Sequence, residues 1–182
     1  MPKPLYFIAL VPGSDIRKKI RELKEEMKER FDSKHALKSP AHITMQKPFR
    51  REEDREPELI QSLEDLASKQ QPFRLDLEGF GAFPPRSIFV NVEDHESIQN
   101  LHQKLKQLLS EQFNFTEKEI QPKVYPHMTI ATRDLNREAF QKAWPEFKER
   151  EFQDVFEVKR LFLLRHNGKD WDIYKEFPFA QK

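Results

Sequence analysis

A chain of 182 residues, 37% apolar and 35% charged, suits one large domain or two small lobes on a shared core, with much helical surface left in water. Lysine plus arginine (32) nearly balance aspartate plus glutamate (31), so the composition announces no polyanion partner, although it leaves room for a local basic cleft. A sequence without cysteine excludes a disulfide framework, a thiolate nucleophile and cysteine-ligated zinc.

The opening Met1-Pro2-Lys3-Pro4 lacks the apolar core of a signal peptide, and the first apolar run, Leu5 to Val11, is far too short to span a bilayer. The expectation is a soluble, cytoplasmic protein with no membrane partner. Leu5 to Val11 stops at Pro12-Gly13, the pattern of a buried strand. Ile16, Ile20, Leu23, Met27 and Phe31 then recur every three or four residues. They mark one face of a helix that Ser14 or Asp15 can cap, with the intervening lysines, arginines and glutamates facing water.

Residues 41–49, apolar and set between Pro40 and Pro48, read as a strand. A charged loop from Arg50 to Glu56 leads to a helix at about 57–70, with Leu59, Leu63 and Leu66 inward. Phe73 to Leu77 alternates as a half-exposed strand, Gly79 and Gly81 loosen the chain before Phe83-Pro84-Pro85-Arg86, and Ser87 to Val92 forms another strand. Ile98, Leu101, Leu105 and Leu108 mark a third helix, and polar residues 114–124 a connection. A strand at about 124–131 follows, then a helix capped by Asn136 that Pro145 ends or kinks. Strands at about 152–166 and 170–177 close the chain, with Asn167-Gly168 a two-residue hairpin signal between them. Each of the strands at 41–49 and 124–131 is followed by a helix and another strand. That order predicts two similar lobes within a single bilobal unit spanning 1–182, one around 40–95 and the other around 120–165.

Those two strands carry related segments, Ala41-His42-Ile43-Thr44-Met45 and Pro126-His127-Met128-Thr129-Ile130, with the histidines 85 residues apart. Side chains alternate along a strand, so His42 and Thr44 share one face while Ile43 and Met45 pack behind them. His127 and Thr129 repeat the arrangement in front of Met128 and Ile130. The chain holds six histidines and four threonines, and the odds that two histidines each find a threonine two residues on are roughly one in a hundred. Imidazoles exchange protons near neutrality. Two of them on opposite sides of a phosphorus atom can take a proton from water and give one to the departing oxygen, while threonine hydroxyls donate to the non-bridging oxygens. A zinc site from His42, His127 and a carboxylate is the competing use of the pair, but neither motif has the spacing of a helical H-E-x-x-H and the threonines would be idle. No metal or other cofactor is expected. His35, His95, His102 and His166 lack a paired motif and read as surface or hydrogen-bonded residues.

The paired segments His42-Ile43-Thr44-Met45 and His127-Met128-Thr129-Ile130 resemble the signature of the two-histidine (2H) phosphoesterases, and within them the 2′-5′ RNA ligase and cyclic phosphodiesterase group. The stretch Gly81 to Val90 is similar to a family segment between the motifs. The resemblance implies an α+β bilobal fold, with antiparallel sheets and outer helices around a central groove lined by both motifs. It implies hydrolysis of 2′,3′-cyclic phosphates to 2′-phosphates, or action on 2′-5′ linkages. The partner is then an RNA end or nucleotide bearing a cyclic phosphate, with no obligate protein partner. By analogy His42 is the proton donor and His127 the acceptor, roles that reversal of the reaction exchanges, with Thr44 and Thr129 holding phosphate. Many family members carry an arginine soon after the second motif. Arg133 comes slightly later, so Arg86 is the preferred phosphate contact, set against its reading as a solvated loop residue. Phe83 is either core or a stacking platform for a base. Two other classes stay open: a non-catalytic RNA or nucleotide-binding module, and a phosphoesterase for a small metabolite, towards which the modest net charge leans.

Overall fold

Among the described residues, alternating and periodic apolar positions resolve into two antiparallel sheets with four α-helices, the α+β class expected. The computed structural model describes residues 2–93 and 96–181, so His95 lies outside the described residues. In chain order the elements are β1 (Leu5–Leu10), α1 (Ser14–Phe31), β2 (Ile43–Arg50), α2 (Glu56–Ser68), β3 (Phe73–Phe83), β4 (Ser87–Glu93), α3 (Glu96–Gln112), β5 (His127–Ala131), α4 (Arg137–Glu149), β6 (Gln153–Val158), β7 (Arg160–His166) and β8 (Trp171–Pro178). Short 3-10 turns stand at His35–Lys38 and Glu53–Arg55. One sheet has the order β2-β1-β7-β8 and the other β5-β4-β3-β6, so each motif strand is an edge strand. The two edges meet, since β2 and β5 are in contact.

Sheet membership departs from the two consecutive segments that the element order suggests. β3 and β4, inside 40–95, pair with β5 and β6 rather than with β2. β2 instead pairs with β1, and β1 with β7 from the far end of the chain. The expected strand at 152–166 is two strands, because Lys159 carries the chain from one sheet to the other; its carbonyl accepts from Phe179 N at 2.8 Å. The β7–β8 hairpin forms, but over residues 167–170 rather than two residues. Asn167 Oδ1 accepts from the backbone N–H groups of Lys169 (2.9 Å) and Asp170 (2.8 Å), a local side-chain turn that lengthens the loop.

Several local expectations also change. Gly13, not Ser14 or Asp15, stands at the start of α1 without a side-chain cap. Lys24 does not face water: it lies one turn from Ile20 and Met27 on the inward face, is 3% exposed, and its Nζ donates to Ser39 O at 2.8 Å. Pro145 sits inside α4, which continues to Glu149 because Phe140, Ala143 and Phe147 anchor it in the core, and Asn136 caps it as expected by accepting from Ala139 N. The 114–124 connection is not simply polar. Phe115, Ile120 and Val124 are buried, and the Gln46 side chain clips the segment to β2 through Glu119 O (2.8 Å) and Gln121 N (3.0 Å). No helix among the described residues is long and apolar enough to cross a membrane.

A continuous core joins Ile43 and Met45 of the first motif to Met128 and Ile130 of the second, with Ile20, Leu63, Leu101 and Phe147 from the helices. The other face of the β2 sheet carries a smaller cluster of Phe7, Ala9, Val11, Phe162 and Leu164. β3 runs through both glycines as one strand, with a register shift between Leu77 and Phe80 where Gly79 adopts φ +68° and donates to Phe152 O at 2.8 Å. Gly81 has a different role. A Cβ there would lie 2.5 Å from both the Phe89 ring and Asn91 Oδ1, and Phe89 packs against His127 at 4.9 Å between ring centroids. Gly81→Ala must displace that ring, and urea unfolding should show a loss of about 1–3 kcal/mol. An unchanged unfolding midpoint would contradict this packing.

Candidate functional site

The alternation puts the motif side chains where the sequence places them. Ile43, Met45, Met128 and Ile130 are fully buried, whereas His42, Thr44, His127 and Thr129 are partly exposed on the opposite face. On the neighbouring strands, Ala9 stands opposite Thr44, Phe89 opposite Thr129 and Asn91 opposite His127. Directly paired residues share a face, so Phe89 and Asn91 lie on the His127 side of their sheet.

Both imidazoles are fixed in the same way. His42 Nδ1 meets Pro40 O at 2.7 Å, and His127 Nδ1 meets Tyr125 O at 2.5 Å, each carbonyl lying two residues upstream. A carbonyl only accepts, so Nδ1 carries the hydrogen in both rings and donates it. Nε2 is then the nitrogen left to exchange protons with a ligand. Burial lowers the pKa of His42 from 6.5 to about 4 against the opposing pull of the Pro40 carbonyl, and positive charge on Lys24 and His127 lowers it further. Burial also lowers His127, against the pull of the Tyr125 carbonyl. The two imidazoles are therefore near enough to be electrostatically coupled. Lys24, beneath the loop that leads into His42, is itself lowered to about 8 by burial and then by Arg21.

A cavity of about 180 Å³ brings together His42, Thr44 and Thr129, with Lys38, Thr132 and Arg133 also on its walls. His127 lies outside that lining, next along β5 and walled by aromatics: Phe89 at 4.9 Å, Phe83 at 5.2 Å and Tyr125 at 6.1 Å between ring centroids. Phe83 is 41% exposed, so it is not core; its ring stands beside His127. His42 has its own wall in Phe7 at 4.9 Å, which in turn meets Trp171 at 4.6 Å. A larger cavity of about 700 Å³ between the start of α1 and β6 holds neither motif.

Sequence spacing undervalues Arg133. It adopts φ +60°, a left-handed turn unusual for arginine, and lines the cavity with His42. Arg86 stands in an adjoining cavity that shares Thr132 and Arg133 with the first. Asp134 explains the proximity of these loops: its carboxylate accepts from Ser33 Oγ (2.8 Å), Lys34 N (3.0 Å) and His35 N (3.0 Å), tying the turn after β5 to the segment before β2. His35 thereby joins the cavity instead of the open surface, and burial, Arg133 and Lys38 lower its pKa while Asp134 raises it. His102 is buried against the Gln121 backbone, and His166 Nδ1 accepts from Gly168 N at 3.1 Å. Among the described residues, no group of three histidine, aspartate or glutamate side chains is placed to hold a metal ion.

A family model described as the 2′-5′ RNA ligase superfamily matches residues 12–170. Candidate phosphoesterases from Geobacillus sp. (strain WCH70) and Oceanobacillus iheyensis are each 27% identical, over 97% of this chain and 97% and 98% of their own lengths. Among solved structures, the TT0787 protein of Thermus thermophilus superposes with a TM-score of 0.71 at 20% identity, covering 98% of this chain and 99% of that one. E. coli LigT, solved with 3′-AMP, superposes with a TM-score of 0.70 at 15% identity, covering 99% and 100%. These two likenesses show a shared fold.

The depressed pKa of His42 couples folding to pH. Between about 6.5 and about 4 the unfolded chain binds a proton at this position that the folded one refuses, so stability falls as pH falls through that window. Urea unfolding at about pH 7 and about pH 4.5 should show a smaller acid-side loss in His42→Gln than in the wild type. Equal losses in the two proteins would show that the imidazole is not held neutral.

Proposed function

The chain belongs to the 2′-5′ RNA ligase superfamily of phosphoesterases, and from that membership we propose that it opens nucleoside 2′,3′-cyclic phosphates to 2′-phosphates by histidine acid–base catalysis without a metal ion. The observation that carries this is the matched pair of imidazoles on two abutting edge strands, each held by an Nδ1–H bond to a carbonyl and each followed by a threonine facing the same way.

In the hydrolytic direction His127 Nε2 takes a proton from water, whose oxygen forms the new bond to phosphorus. The bond from phosphorus to the 3′ oxygen breaks, and His42 Nε2 supplies the proton that oxygen needs. Thr44 and Thr129 donate hydrogen bonds to the non-bridging oxygens, and Arg133 offers a charged partner for the same anion. Ligation is the same displacement with a 5′-hydroxyl in place of water: His127 Nε2 takes its proton, the 5′ oxygen bonds to phosphorus, and the departing 3′ oxygen takes its proton from His42. Phe83 and Tyr125 offer aromatic faces for a base at the mouth of the groove.

Low imidazole pKa values fit this chemistry. At neutral pH both rings are uncharged, and a bound phosphate supplies the negative charge that lets one of them protonate. Purified protein should hydrolyse a 2′,3′-cyclic mononucleotide equally well with and without EDTA, and His42→Ala and His127→Ala should each lower kcat by about 10²- to 10⁴-fold with folding retained. The kcat/KM profile should be a bell centred below pH 6.5, with the kcat profile displaced to higher pH by the bound anion. Activity that requires added metal would overturn the proposal, and binding of cyclic phosphates without turnover would assign a non-catalytic nucleotide module instead.

A further inference from the structure

The catalytic groove opens into a second cavity of about 610 Å³, whose walls include Arg86, Ser87, Thr132, Arg133 and Arg137. Thr132 and Arg133 line both spaces. The three guanidinium groups come from separate places: the turn between β3 and β4, the turn after β5, and the first residue of α4.

Their electrostatic situation differs from that of the ion-paired arginines, and they share one cavity, which Arg50 and Arg74, likewise unpaired among the described residues, do not line. Arg30, Arg51, Arg150, Arg160 and Arg165 each form ion pairs with glutamates. Arg86, Arg133 and Arg137 have no carboxylate partner among the described residues. The acids next to Arg133 and Arg137 in sequence have other partners. Asp134 is occupied by Ser33, Lys34 and His35, and Glu138 pairs with Lys142 at 3.4 Å. Arg137 also opens a helix, where a cation opposes the macrodipole and an anion is favoured. Three unpaired cations around one space repel one another until something negative joins them. Ser87 and Thr132 add a polar floor: their hydroxyls bond to each other at 3.0 Å, so one donates and the other keeps its hydrogen for a ligand.

We propose that this cavity is a second phosphate subsite, taking the phosphate on the 5′ oxygen of the nucleotide whose 2′-phosphate or cyclic phosphate occupies the histidine groove. The assignment rests on the phosphoesterase chemistry proposed above, because a nucleotide ending in a cyclic phosphate carries any other phosphate on its 5′ side. That phosphate is the terminal monoester of a free nucleotide or the first diester of an RNA chain, and the arginines recognise the chemistry the two share.

The test is equilibrium binding of stable product-like ligands to the intact protein, which does not depend on turnover. Calorimetry compares adenosine 2′-phosphate, adenosine 2′,5′-bisphosphate and a diadenosine dinucleotide ending in a 2′-phosphate. The extra phosphate should tighten binding about 10- to 100-fold, the value of one or two charge-assisted hydrogen bonds. Arg86→Ala and Arg137→Ala should each remove most of that ratio, while Arg74→Ala on β3, which deletes the same charge elsewhere, should preserve it. A gain with the bisphosphate alone assigns a free nucleotide, and a gain with the dinucleotide assigns an RNA end. Equal affinity for all three ligands, or a ratio that survives both arginine substitutions, overturns the subsite. If the ratio holds but no cyclic phosphate is hydrolysed, the chemistry fails and the subsite stands. If none of the three binds at millimolar concentration, both fail.

Discussion

Which nitrogen of each imidazole is left free is the constraint on which the whole groove depends. A backbone carbonyl two residues upstream takes the Nδ1 hydrogen of His42, and another takes that of His127. Pro40 supplies one of these carbonyls, and Pro126 follows the other, so proline shapes both approaches to the motif strands. Because the ring orientation is set by the chain immediately before each strand, it survives only if the strands themselves are immobile. The buried alternates Ile43, Met45, Met128 and Ile130 provide that rigidity, locking two edge strands from different sheets into one core.

Electrostatics around the groove have a single theme, which is positive charge awaiting an anion. Lys24 is buried under the first motif with a carbonyl as its hydrogen-bond partner, Arg133 and Lys38 line the cavity wall, and Arg86 and Arg137 stand just beyond it. A net formal charge of +1 conceals this concentration entirely. Burial keeps the imidazoles uncharged at neutral pH, so they add nothing to the repulsion. Asp134, the acidic residue in the turn after β5, spends its carboxylate on fastening two loops together rather than on quenching the arginines.

The parts of this arrangement that depend on local rules are legible in the sequence. Period-two alternation marks the inward and outward faces of both motifs, and the three-and-four spacing marks the four helices. What cannot be read locally is what depends on long-range pairing. The return of β7 to β1 divides the sheets differently from the order of elements, and nothing local marks Lys159 as the crossing point. Lys24 reads as part of a solvated face because its charge says nothing about which turn the neighbouring loop will cover. Spacing alone discounts Arg133, yet a left-handed backbone brings it into the cavity. His35 and Lys38 reach the site only because Asp134 ties their segment to a loop far along the chain. Phe83 errs in the opposite direction. The abundance of phenylalanine suggests core, whereas its place at the end of a strand leaves it beside His127.

The most direct measurement is a crystal structure of the protein with a nucleoside 2′-phosphate bound. The account predicts a phosphorus atom flanked by Nε2 of His42 and Nε2 of His127, with the hydroxyls of Thr44 and Thr129 on its non-bridging oxygens. A phosphate seated away from the two rings, or either ring turned to present Nδ1 to the ligand, would contradict it.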